Sequence, residues 1–356
     1  MGDRTATAAR GVADLSVDWC TDALGAVLEG GRVVDVSTTA VGTGQVADTV
    51  RLTLTYDPPS SGPATLVAKV PAADAASRAA ARLTRTYEIE ASFFRDLAPA
   101  AAVRAPRCYD AAYDPVSDDY HVLLEDVAPA EQGDQLAGCP LGDIEDAVDE
   151  LALLHGPRWG DETLLDIGWL HRTQPQRIDE TVALIGQCVA PFLQRFGARL
   201  EPATVAVVER FTPRVGAYLH GWPRPWTIIH GDYRADNLLF GGDRVVVVDW
   251  QTVGLGPGPF DLAYLLGASV VPDDRRRHER DLVARYVEGV RAHGVQLDDE
   301  VAWTEYRRCS FGSLLMAIVA PMLVKQTERG DEMFIAMADR PARQIADLDA
   351  ESLLAD

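Results

Sequence analysis

Apolar residues recur at helical spacing from Val17 to Leu28, and Gly30-Gly31 supplies a stop. The period then changes. Arg32–Val41, Val46–Tyr56 and Ala64–Val70 are rich in Val, Thr and Leu and are separated by GTGQ and DPPSSGP, which predicts three antiparallel strands. Ala75–Leu97, rich in Ala, Arg and Glu, predicts one helix that ends before Pro99. Two further strands are expected near Arg107–Tyr113 and Tyr120–Asp126, joined by the turn signal DPVSDD.

From Pro129 onward helical periodicity dominates, in Leu141–His155, Ile178–Phe196, Thr204–Leu219, Arg277–His293 and Val301–Val324. Short apolar runs and turns between Trp226 and Asp249 interrupt it once. The pattern therefore divides the chain into a small β-rich part, residues 1–126, and a larger helical part, 127–356, with a connector near Glu125–Ala130. No internal repeat or low-complexity tail is visible.

With 356 residues the chain is long enough for two lobes, each with a core. Hydrophobic residues at 47% and charged residues at 24% mark an ordinary globular composition and exclude a disordered one. The most apolar stretch, Phe311–Val324, is too short to span a bilayer and contains Pro321, so it reads as a buried helix. The start, MGDRTATAARGVADLS, lacks the apolar core of a secretory signal, and Ala6 does not fit a myristoylation pattern. Five scattered cysteines without a CxxC pair suggest neither a zinc site nor a disulfide framework, and a reducing cytoplasm is expected. The formal charge of −21 argues against nucleic acid or an anionic membrane as partner. It would suit a cationic substrate, but acidic surfaces on soluble proteins have the same effect. Oligomeric state is left open.

The densest chemistry lies between His230 and Asp261. In Ile228-Ile229-His230-Gly231-Asp232-Tyr233-Arg234-Ala235-Asp236-Asn237-Leu238-Leu239-Phe240 a charged turn is held between two apolar stubs, a way to fix an Asp and an Asn rigidly. Phosphoryl transfer needs one carboxylate to orient the attacking hydroxyl and accept its proton, and an amide oxygen to help hold a metal. The buried-strand run Val245–Val248 then delivers Asp249, and Mg²⁺ is commonly held by one or two carboxylates together with phosphate oxygens.

HGDYRADN, followed by VVVVDWQ and PFDLAYLL, resembles the motif set of the aminoglycoside phosphotransferase superfamily, and most closely its ecdysteroid-kinase-like (CHK-kinase-like) branch. The resemblance runs from about Val34 to Leu266. It implies an α+β, bilobal protein-kinase-like fold that uses ATP and Mg²⁺ to phosphorylate a hydroxyl of a small molecule. By that resemblance Asp232 is the catalytic base, Asn237 and Asp249 are Mg²⁺ ligands, and His230 is structural. Arg234 stands where protein kinases carry a phosphate-touching Lys. It could stabilise the transferring phosphoryl group, or simply pair with Asp236 or another loop carboxylate.

The β-rich part supplies further counterparts. Lys69 in LVAKV resembles the strand lysine that holds the nucleotide phosphates, paired with a helix glutamate. Glu90, shortly before Phe93-Phe94, fits the family pattern better than Glu88. The two point about 200° apart on a helix, so one alone can face Lys69. Gly42 and Gly44 stand where kinases place the loop that covers the phosphates, although the third glycine of that loop is replaced by Ala47. Leu123–Val127 resembles the hinge whose backbone meets adenine, which draws in Glu125, Asp126 and Val127. Asp261 is expected to cap a helix or brace the loop, and His155 to be structural. Rival readings are an aminoglycoside-resistance phosphotransferase, a nucleotide-binding pseudokinase scaffold, and a metal-dependent hydrolase using Asp232, Asp236 and Asp249. The hydrolase lacks a supporting His cluster.

Overall fold

The structure is a computed structural model that describes residues 7–42, 46–59, 62–170 and 175–354. Two compact units are present. One holds the chain up to Ala101, Ala105–Ala128 and Asp249–Thr252; the other holds Ala102–Arg104, Pro129–Val248 and the chain from Val253.

In the first unit, helix α1 (Val17–Ala23) begins at Ser16, whose side chain accepts the Trp19 N–H. It ends at Ala23, short of the expected Leu28. Leu24 and Leu28 keep the apolar pattern going because they belong to the same core as the strands, not because the helix continues. Strands β1 (Arg32–Ala40), β2 (Ala47–Asp57), β3 (Thr65–Pro71), β4 (Cys108–Tyr113) and β5 (Tyr120–Glu125) form an antiparallel sheet in the order β1-β2-β3-β5-β4. Side chains alternate across a strand. Leu66, Ala68 and Val70 of β3 therefore enter the core with Leu52, Leu54 and Cys20, while Lys69 projects from the other face.

The single helix expected over Ala75–Leu97 is broken. Arg85 adopts φ 58° between α2 (Ala75–Thr84) and α3 (Thr86–Ser92), and Phe93–Leu97 follows as a wide helical turn. Tertiary bonds override the helical propensity here. The Tyr87 hydroxyl donates to the Val46 carbonyl at 2.7 Å and accepts the Ala72 N–H at 3.1 Å, while Arg85 pairs locally with Glu88 at 2.8 Å.

The second unit opens with β6 (Glu131–Gln132) and α4 (Leu141–His155), the latter with the expected bounds, followed by α5 (Pro175–Phe196). The helix expected over Thr204–Leu219 appears as α6 (Pro202–Phe211) and α7 (Val215–His220), parted at Pro213, which has no N–H to continue the ladder. β7 (Thr227–Ile229) pairs with β10 (Gly254–Gly256), and β8 (Leu238–Phe240) lies between β6 and β9 (Val246–Val247). All 11 residues of α8 (Pro259–Ser269) are buried, so it forms the centre of this unit. α9 (Pro272–Arg291) follows. The expected Val301–Val324 helix is divided at Ser310 into α10 (Asp299–Cys309) and α11 (Phe311–Leu323). The last long helix is α12 (Glu328–Asp347). Among the described residues no helix is long and apolar enough to cross a membrane, and all five cysteines are free.

Candidate active site

In the helical unit, β7 is buried at every position and leads directly into the charged turn. Gly231 takes φ 82°, a conformation that a side chain would strain, and this reverses the chain so that Asp232 follows. Asp261 braces the turn as expected. Its two oxygens accept the His230 and Gly231 N–H groups at 2.6 and 2.9 Å. His155, fully buried, donates to the same carboxylate from Nε2 at 3.2 Å and meets the Tyr286 hydroxyl at 2.9 Å through Nδ1. His230 donates from Nε2 to the Val248 carbonyl at 3.0 Å, and its Nδ1 accepts the Asp232 N–H at 3.3 Å. Both histidines are therefore framework parts of the loop.

Asp232 is 9% exposed, and both its oxygens are engaged. Oδ1 accepts the Tyr264 hydroxyl at 2.5 Å, Oδ2 accepts Asn237 Nδ2 at 2.9 Å, and Arg234 Nε spans the two at 3.2 and 3.1 Å. Asn237 Nδ2 also donates to the Asp232 carbonyl at 2.8 Å. Arg234 continues to Asp236 at 2.9 Å, Gln135 Oε1 at 2.7 Å and Met333 Sδ at 3.5 Å. Burial opposes the guanidinium charge, but Asp232 and Asp236 outweigh it and raise the Arg234 pKa above the ordinary value. Of the two roles open for Arg234, ion pairing with loop carboxylates is the arrangement present.

In the β-rich unit, Lys69 Nζ lies 2.6 Å from Glu90 Oε1 and 2.7 Å from Asp249 Oδ1. Burial works against this ammonium, yet Asp249 and Glu90 prevail and hold its pKa above that of an ordinary lysine. Burial also pushes the Glu90 carboxyl up, with Lys69 pulling it down. The Tyr120 hydroxyl donates to the second Glu90 oxygen at 2.9 Å. Glu88 pairs with Arg85 instead, so the choice between the two glutamates falls on Glu90. Asp249 sits at φ 67°, which an L residue adopts at a cost, and its Oδ2 accepts Gln251 Nε2 at 3.1 Å. Next to it, fully buried Trp250 stacks on Phe93 with centroids 4.0 Å apart.

The remaining expected residues are more dispersed. Gly42 has φ 73°, and Gly44 lies outside the described residues. Glu125 ends β5, where its carboxylate accepts the Arg107 N–H at 3.0 Å, and Val127 follows half-buried in the connector. Asp126 pairs with Arg51 at 2.7 Å, so its side chain serves the sheet. Sequence reasoning missed Tyr264, Tyr120 and Gln135. For Tyr264 a signal existed: it stands three residues after Asp261 in FDLAYLL, on the face that already carries the brace.

Solved structures place this fold. A candidate aminoglycoside phosphotransferase from Ralstonia eutropha JMP134 superposes with a TM-score of 0.54 at 16% identity, covering 94% of this chain and 99% of that one. Choline kinase from Cryptosporidium parvum Iowa II gives a TM-score of 0.57 at 7% identity, covering 89% of each. The architecture is thus the bilobal α+β fold of the protein-kinase type. Residues 38–301 match the phosphotransferase enzyme family, and the chain belongs to that family. Among curated relatives, thiamine kinase from Escherichia coli K12 is 31% identical over 125 residues, which is 35% of this chain and 41% of that protein. The match thus spans less than half the length of this relative.

Proposed function

We propose that the chain is an ATP- and Mg²⁺-dependent kinase that transfers the γ-phosphate to a hydroxyl of a small molecule, with Asp232 as the base. The observation that carries this reading is the Asp232–Asn237 pair. One rigid loop presents a buried carboxylate, and an amide turned so that its oxygen remains for a cation. The donor set fits Mg²⁺, a hard cation held by few protein oxygens and by phosphate. Asn237 Oδ1 and the Asp249 carboxylate are its ligands in this reading, and the ion supplies charge neutralisation for the phosphates.

The chain's own residues supply the rest. The Asp232 carboxylate orients the acceptor hydroxyl and takes its proton. Lys69, held by Glu90, offers an ammonium to the nucleotide phosphates, and Gly42 with Gly44 lets the backbone approach them. The connector at Glu125–Val127 offers backbone groups to the base of the nucleotide. Arg234 leaves its ion pairs to meet the transferring phosphoryl group.

Thiamine kinase and choline kinase are named for acceptors that combine a hydroxyl with a fixed positive charge, and a chain of net charge −21 suits such acceptors. The test is ADP release from Mg²⁺-ATP across amino alcohols, thiamine, aminoglycosides, sugars and sterols, the last representing the ecdysteroid-kinase-like branch. Release stimulated by one class identifies the acceptor. If no class stimulates release although Mg²⁺-ATP binds, the kinase reading gives way to the scaffold one.

A further inference from the structure

We propose that Tyr264 is a positioning residue for Asp232 and that helix α8 is the frame on which the base is set. The inference rests on the reading of Asp232 as the base. Three side chains of α8 grip the same loop. Asp261 takes the His230 and Gly231 N–H groups, the Tyr264 hydroxyl donates to Asp232 Oδ1 at 2.5 Å, and Ser269 Oγ accepts the Ala235 N–H at 2.8 Å. Asp261 and Ser269 hold the backbone on either side of residue 232. Tyr264 alone of the three reaches the carboxylate.

The carboxylate plane is set from both ends, by Tyr264 on Oδ1 and Asn237 on Oδ2. Tyr264 is 1% exposed within a helix buried along its whole length, so its hydroxyl has nowhere else to go. Burial, and then the neighbouring Asp232 charge, raise its phenol well above the ordinary value, which keeps it a donor. Arg234 Nε, spread across both oxygens, is the donor that must yield to an incoming hydroxyl. Tyr264 stays and keeps the plane fixed as that exchange takes place.

The test uses the full chain with water as acceptor. For Tyr264→Phe, kcat of Mg²⁺-ATP hydrolysis falls about 10- to 100-fold, the loss expected for one hydrogen bond to a charged group, while KM for Mg²⁺-ATP stays within about twofold. In the ¹³C spectrum the Asp232 carboxyl signal, assigned by its loss in Asp232→Asn, shifts in the same variant. An unchanged kcat, or an unmoved signal, overturns the proposal. A fall in kcat accompanied by an equal rise in KM and a lower melting temperature overturns it too, because that marks a merely structural tyrosine. If Asp232→Asn hydrolyses ATP as fast as the parent, the base assignment itself fails. If Asp232→Asn loses hydrolysis while Tyr264→Phe keeps the parental kcat, the positioning role alone fails.

Discussion

The Lys69 ammonium lies 2.6 Å from Glu90 Oε1, and the nearby Glu88 takes no part in the pair. Strand alternation aims Lys69 off the core face of β3, and the break at Arg85 sets α3 so that Glu90 points inward. Glu90→Gln removes the charge that fixes the ammonium and leaves Asp249 as its partner. We expect kcat/KM for Mg²⁺-ATP to fall about 10- to 100-fold, the range for a charge-assisted bond. Glu88→Gln, measured beside it, stays within about threefold because its Arg85 pair is partly exposed. Equal losses in the two variants would refute the assignment.

Trp250 anchors the turn that carries Asp249. It is fully buried and stacks on Phe93 with an interplanar angle of 7°. Trp250→Ala should destabilise the β-rich unit by about 3–5 kcal/mol, the usual cost of deleting a buried aromatic side chain. Chemical denaturation with a probe in that unit measures it. A loss under about 1 kcal/mol would mean that the ring is not packed as described.

Gly258 has no room for a methyl group. A Cβ there would stand 2.3 Å from the Tyr286 hydroxyl and 2.4 Å from the Trp159 ring. Tyr286 supports His155, which in turn meets Asp261, the brace of the His230–Gly231 turn. Gly258→Ala should cost about 1–3 kcal/mol by overpacking, and the thermal midpoint should fall. An unchanged midpoint would show that the Tyr286–His155 contact is loose.

Burial pushes the Glu305 carboxyl from 4.5 up to about 7, with Arg308 pulling it down. An acid whose folded pKa is raised binds protons more tightly in the folded state. Its contribution is therefore harmless below about pH 4.5 and turns into a penalty as pH rises towards 7. Glu305→Gln should remove that penalty. Relative to the parent, its melting temperature should rise across this window and then hold a constant advantage. A difference that does not depend on pH would contradict the raised value.

The charged turn at residues 230–237 was legible because its charged residues sit between two short apolar stubs at fixed spacing, and HGDYRADN needed no tertiary information. Helical spacing shows that one of Glu88 and Glu90 must face away without saying which. The αL residue Arg85 settles it, and nothing local in the run of Ala and Arg marks that break. Gln135 escaped because its role comes from an element distant in sequence that meets Arg234 and Asp236, whereas Tyr264 was marked only by its helical spacing from Asp261. The helix α12 was missed for another reason: Pro341 lies inside it and reads as a breaker.

Comparison of the parent with Asp232→Asn tests the central claim most directly, with Mg²⁺-ATP binding and ADP formation read on the same samples. The account predicts that the variant binds nucleotide with affinity within a few-fold of the parent, while ADP formation drops by about 10²–10⁴, the range for losing a general base. ADP formation at the parental rate in a variant that still binds nucleotide would contradict it and remove Asp232 from the chemistry.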